Sequence, residues 1–131
     1  MIRYTIEKRI NLTDKQHPKF YPKIVRATTM TFEQVAELLQ KRTTMTQSEV
    51  KAFLLALGDA VQHYVTNSCV VEVEGLGIFT PTIHAKAVDD LGDLTAKTIL
   101  SKSVNYRPTS KMNKRFQETK FTKANLDVSH L

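Results

Sequence analysis

The chain has a single cysteine in 131 residues and no tryptophan. One cysteine closes no internal disulfide and excludes a multi-thiolate zinc site. Cys69 lies in an alternating stretch and reads as a small buried hydrophobe. Glycine and proline number four each, too few for a fibrous or low-complexity chain. No apolar run approaches the roughly 18 residues of a membrane-spanning helix. The opening MIRYTIEKRI lacks the apolar segment and small-residue cleavage site of a secretory signal. A cytoplasmic location with no membrane partner is the expectation. There is no phosphate-cradling glycine loop and no dinucleotide fingerprint. His17, His63, His84 and His130 are scattered, and none pairs with a cysteine or acid at metal-ligand spacing. A Cys69–His nucleophile pair is disfavoured because the thiol sits on a structural strand. No enzyme, metal, cofactor or small-molecule substrate is expected.

What is present is an ordinary hydrophobic fraction of 41% and a net charge of +6. The length suits one domain with a modest core. The charge is uneven. Residues 1–30 carry seven Lys/Arg against two acids, and residues 101–131 again seven against two. Residues 31–75 carry three against six, and residues 76–100 two against three. Basic ends around a slightly acidic middle point to a polyanion partner, most commonly nucleic acid, with a merely basic surface as the bland alternative.

The chain is organised around Cys69–Phe79, CVVEVEGLGIF. Cys69, Val71 and Val73 alternate with Val70, Glu72 and Glu74, the period of a half-buried strand. Gly75-Leu76-Gly77 then permits a tight reversal into Ile78-Phe79-Thr80. Upstream, residues 2–12 alternate as a strand, 13–22 read as a proline-bearing loop, and 23–28 read as a short returning strand. Thr31 with Gln34, and Thr46 with Glu49, have capping-box spacing and predict two helices. The first carries Phe32, Val35, Ala36 and Leu39 on one stripe and ends near Lys41-Arg42. The second carries Val50, Phe53, Leu54, Leu57, Val61, Tyr64 and Val65. It is apolar over more than one face, so the sheet or a second chain must cover it. Gly58 in its middle costs roughly 1 kcal/mol relative to Ala and fits a close helix crossing.

Downstream, Thr80–Ala87 predicts an outgoing strand, 89–93 an acidic turn and Thr95–Tyr106 a returning strand. Pro108 and Ser110 then start a last helix bearing Lys111, Lys114 and Arg115, with Met112 and Phe116 as its buried contacts. Residues 122–131 read as a weakly structured tail.

This order resembles the HU/IHF family of histone-like bacterial DNA-binding proteins over about residues 30–121. The resemblance rests on the helical hairpin, on VEVEGLGIF at Val71–Phe79, and on VNYRPTSKMNKRF at Val104–Phe116. Gly75, Gly77 and Phe79 match the family hairpin, while Leu76 replaces its first aromatic residue. The extension, with Lys8-Arg9 and Tyr21-Pro22, resembles longer HU-like proteins of Bacteroides-type bacteria. The resemblance implies an α+β, IHF-like fold: a helical hairpin, a three-stranded antiparallel sheet with a β-ribbon arm, and a short C-terminal helix, in an intertwined dimer. It divides the chain into an N-terminal β extension at 1–30, an HU-like DNA-binding domain at 31–121 and a tail at 122–131. It implies a dimer interface at Val50, Phe53, Leu54, Leu57, Val61, Tyr64 and Phe79, in a homodimer or a heterodimer with a paralogue. It also implies a nucleoid location and arms that reach into the minor groove of double-stranded DNA.

One departure matters. The family arm tip is basic and ends in a wedging proline, whereas Ala87–Lys97 here has no proline or arginine and carries Asp89, Asp90 and Asp93. Carboxylates beside phosphates repel. Pro81, early in the outgoing strand, fits an edge position. The expected DNA contacts are therefore Lys86 on the outgoing strand, Lys97 and Lys102 on the returning one, and Arg107, Ser110, Lys111, Lys114 and Arg115 at the last helix. Lys111 shares a helix face with Lys114 and Arg115, and the helix N-terminus with Ser110 suits a phosphate. The expected function is sequence-nonspecific architectural DNA binding through the phosphate backbone. The alternative is a structural or protein-interaction module on the same fold that has lost DNA bending.

Overall fold

The computed structural model describes residues 1–124, divided into two compact units. One comprises Met1–Met30 with residues 115–124, and the other Thr31–Lys114.

The Thr31–Lys114 unit begins with a helical hairpin, α1 (Phe32–Arg42) and α2 (Gln47–Val65). Both predicted capping boxes are formed. Gln34 Oε1 accepts from the Thr31 N–H at 2.9 Å and Glu49 Oε2 from the Thr46 N–H at 3.0 Å, while each threonine oxygen accepts from the backbone N–H three residues on. Two otherwise orphaned donors are satisfied at each helix start, which sets where the helices begin. Lys51 of α2 forms an ion pair with Glu33 of α1, and Ala36 and Val50 are the buried apolar residues of the hairpin.

Helix α2 ends where side chains take over its last carbonyls. Thr66 Oγ1 donates to Gln62 O at 2.8 Å and Asn67 Nδ2 to His63 O at 2.7 Å. Ser68 turns the chain with a left-handed φ of 65°. Cys69 therefore lies in the exit from the helix, exposed, and the strand expected to include it begins only at Val71. The expected burial of Cys69 is corrected accordingly.

The sheet of this unit runs β3 (Val71–Val73), β4 (Gly77–Ala85), β5 (Ile99–Pro108), antiparallel throughout and in that spatial order. The β3–β4 turn is the predicted glycine reversal: Gly75 has φ 78°, and the Leu76 N–H donates to Val73 O at 3.0 Å. Gly77 is needed for a different reason. A Cβ there would collide with the Tyr106 ring and the Arg107 carbonyl.

Strand β3 stops opposite Phe79, so from Thr80 onward β4 pairs only with β5. Pro81 lies in this singly paired stretch, where a missing N–H is tolerated. The returning strand starts four residues later than expected, at Ile99 instead of Thr95. Residues 91–93 and 96–98 form short 3₁₀ turns, in which Asp90 Oδ1 accepts from Gly92 N and Thr95 Oγ1 from Lys97 N, both at 3.3 Å. Such short polar side chains offer the backbone a local alternative to the ladder.

The other unit is a three-stranded sheet in the order β2–β1–β6, with β1 (Ile2–Asn11), β2 (Asp14–Ile24) and β6 (Phe121–Lys123). Two expectations are corrected here. Residues 13–22 are not a loop. All but Thr13 belong to β2, and the strand expected at 23–28 ends at Ile24. Pro18 and Pro22 are accommodated because β2 is an edge strand, with only β1 beside it among the described residues. The tail read as weakly structured from 122 contains strand residues: β6 runs parallel to β1, pairing Ile2 with Phe121 and Tyr4 with Lys123. The rest of that tail, 125–131, lies outside the described residues. Helix α3 (Ser110–Gln117) spans the division between the units, which falls between Lys114 and Arg115.

Candidate nucleic-acid interface

Register determines which side chains share a face of the β3–β4–β5 sheet. Val71 and Val73 oppose Phe79 and Gly77, and Phe79, Pro81 and Ile83 oppose Tyr106, Val104 and Lys102. This face is apolar and ends in Lys102. On the other face Ile78, Thr80, Thr82 and His84 oppose Arg107, Asn105, Ser103 and Ser101. There Thr82 Oγ1 and Ser103 Oγ are 2.9 Å apart. The sheet thus has one greasy side and one mostly polar side, which carries hydroxyls, an amide, the His84 imidazole and the Arg107 guanidinium around Ile78, with the Glu72 carboxylate on its β3 edge.

The structure separates several cations that the sequence groups together. Lys86 lies one residue beyond β4, where its N–H donates to Thr98 O at 3.0 Å and holds the ribbon closed. Lys97, expected on a strand, is in a 3₁₀ turn beside it. Lys102 borders a groove of about 510 Å³ that also includes Val65, Thr66, Pro81 and Val104. Arg107 projects from the opposite, polar face.

Lys111, Lys114 and Arg115 lie on α3, with Ser110 as its first residue. The helix is fastened to the hairpin by Tyr106, whose hydroxyl donates to Leu76 O at 2.9 Å and lies 3.4 Å from Met112 Sδ. The Tyr106 ring also packs against Phe79, with centroids 5.5 Å apart. Thr109, just before α3, is 6% exposed, and its Oγ1 has no hydrogen-bond partner among the described residues. Lys86, Lys97, Lys102, Arg107, Lys111, Lys114 and Arg115 are all exposed, and among the described residues none forms an ion pair. Cations without an ion-pair partner keep their charge available to an external anion.

The residues expected at a dimer interface divide by exposure. Phe53 is 62% and Tyr64 53% exposed, whereas Leu54, Leu57, Val61 and Phe79 are half-buried. Val50, at 3%, is covered by its own chain. Among the described residues no cluster of three or more His, Cys, Asp or Glu side chains is arranged to hold a metal, and no helix is long and apolar enough to cross a membrane.

The sequence reading did not single out Thr82, Ser101, Ser103 and Asn105. Their signal was the polar half of the alternation in residues 99–108, which becomes a shared surface only once β4 supplies the matching polar positions.

Comparison with known proteins agrees with this architecture. A crystal structure of a "Putative bacterial DNA binding protein" from Bacteroides vulgatus superposes with a TM-score of 0.68 at 11% identity, covering 93% of this chain and 47% of that one. The chain thus spans about half the length of the protein it resembles. No curated protein matches the sequence. The model of the HU-HIG family, described as an HU domain fused to wHTH, Ig, or Glycine-rich motif, matches residues 1–123. That match takes in the helical hairpin, both sheets and the basic helix, and the chain belongs to the HU-HIG family.

Proposed function

We propose that the chain is a dimeric, architectural DNA-binding protein that grips the phosphate backbone of duplex DNA and reads little sequence. The observation that carries this reading is the set of exposed cations on β5 and α3, Arg107, Lys111, Lys114 and Arg115, which have no acidic partner among the described residues. Family membership and the description of the Bacteroides neighbour support it. Phosphate contacts from lysine and arginine position a protein on DNA without carrying sequence information. Residues 31–121 would form the DNA-binding core and 1–30 an extension of it. Phe53, Leu54, Leu57, Val61, Tyr64 and Phe79 would meet a second copy in an intertwined, IHF-like dimer, because large aromatic side chains this exposed favour burial against a partner.

The test is a titration of fluorescent random-sequence duplex at several salt concentrations. Log affinity falls linearly with log salt, by about 0.9 per phosphate contact. Lys111→Ala combined with Arg115→Ala flattens that slope. An unchanged slope and affinity in this double variant would overturn the site assignment.

The arm tip favours a second reading. Asp89, Asp90 and Asp93 sit among its 3₁₀ turns, with Leu91 81% and Leu94 57% exposed. An acidic, partly apolar tip suits a protein partner better than a groove lined with phosphates. On that reading the chain holds another protein, and the same titration shows no binding even at low salt.

A further inference from the structure

The sheet β2–β1–β6 is also two-faced, and its two faces differ in chemistry. In register, Tyr4 opposes Ile24, Ile6 opposes Pro22, and Ile2 opposes Phe121. This side is mostly apolar, with Lys8 opposite Phe20 and Lys123 opposite Tyr4 as its cations and no carboxylate among these pairs, and the Tyr4 and Phe121 rings meet on it at 6.4 Å. On the opposite side Thr5 opposes Lys23, Glu7 opposes Tyr21, Arg9 opposes Lys19, and Arg3 opposes Thr122. Four cations share this side with one carboxylate.

Arg9 and Lys19 face each other directly across the ladder. Like charges placed so are destabilising unless something neutralises them. Glu7 approaches Arg9 only at 3.5 Å, and that side chain of Arg9 is 62% exposed. The Arg9 guanidinium lies over the Tyr21 ring, 4.8 Å from its centroid. Stacking orients a guanidinium while leaving its in-plane N–H groups free to fork onto phosphate oxygens.

We propose that the face of Arg3, Arg9, Lys19 and Lys23 is a further contact surface for the phosphate backbone of duplex DNA, separate from the cations of β5 and α3. The proposal rests on reading the chain as a DNA-binding protein. Arg3 to Arg9 spans about 20 Å of strand at roughly 3.4 Å per residue, a length over which duplex DNA carries on the order of ten phosphates. A protein partner would call for an apolar centre. This face offers only Tyr21, because the apolar residues of the sheet lie on the other side.

The same salt-dependent titration, on the full chain, tests it with two charge-matched double variants. Arg9→Gln with Lys19→Gln strips the proposed face, and Lys8→Gln with Lys123→Gln strips two cations from the opposite one. Removing two phosphate contacts lowers the slope of log affinity against log salt by about 2. The expected result is that drop for the first variant and a wild-type slope for the second. Equal drops in both would mean that net charge alone acts, and would overturn the proposal. So would an unchanged slope in the first variant while Lys111→Ala with Arg115→Ala flattens it. If wild-type protein fails to bind duplex at any salt concentration, the DNA-binding reading itself falls, and this surface with it. Circular dichroism checks folding. Should the first variant misfold, Lys19→Gln with Lys23→Gln addresses the same face with the same expected drop.

Discussion

The two sheets are each three strands wide and two-faced, yet they are closed in opposite ways. The β3–β4–β5 sheet joins strands consecutive in sequence, all antiparallel, around a turn that depends on a glycine with φ 78°. The β2–β1–β6 sheet places β1 at its centre, between its hairpin partner and a parallel strand from the far end of the described chain. The first sheet depends on local turn chemistry and the second on a long-range closure. Disturbing one should leave the other intact.

The largest effect is expected at Gly77. Gly77→Ala places a Cβ against the Tyr106 ring, which is anchored through its hydroxyl, and against the backbone carbonyl of Arg107. Overpacking against such fixed neighbours costs about 1–3 kcal/mol, with the upper end expected here. Urea unfolding measures the loss, and hydrogen exchange should place it in β3–β5 while β1 and β2 keep their protection. An effect spread evenly over both sheets would show that they are not independent.

A smaller effect follows from cutting the chain after Thr119. This removes the β1–β6 ladder together with its flanking bonds, Ile2 N to Lys120 O at 2.9 Å and Ala124 N to Tyr4 O at 2.8 Å. The two flanking bonds alone, at about 1 kcal/mol each, predict β1 amides exchanging at least roughly tenfold faster, with β4 and β5 unchanged. The smallest effect is that of Tyr106→Phe. It keeps the ring over Gly77 and removes the hydroxyl bonded to Leu76 O, so about 1 kcal/mol is lost, read as a shift in the urea midpoint. If Tyr106→Phe costs as much as Gly77→Ala, the hydroxyl and not the close packing holds the hairpin.

The legible parts of the fold were those controlled by neighbouring residues. Thr31 with Gln34 and Thr46 with Glu49 marked helix starts because each cap is completed within three residues. The two prolines of β2 misled because proline disfavours a strand only where both edges are paired, and edge status is a property of the sheet. Thr95 misled in the opposite direction. It sits in an alternating stretch, but its hydroxyl accepts from Lys97 N and turns the backbone before the strand begins. Of the candidate site, the cations of α3 were readable from spacing alone. That Lys102 lies on the apolar face of its sheet and Arg107 on the polar one was not, because a strand position shows parity but not which side of the sheet is apolar.

By itself, then, the sequence determined the two capped helices, the glycine reversal at 75–77, the basic last helix and the uneven charge. Each depends on hydrogen bonds, dihedral limits or charges within a few residues. Only the tertiary structure decided that Phe121–Lys123 joins β1, that β2 is an edge, that Cys69 is exposed, and that Arg9 faces Lys19 across a ladder. The place of β6 and the edge status of β2 come from a pairing between distant segments, whereas Arg9 opposite Lys19 follows from the hairpin register and the exposure of Cys69 from the way α2 ends, neither of which the alternation pattern shows.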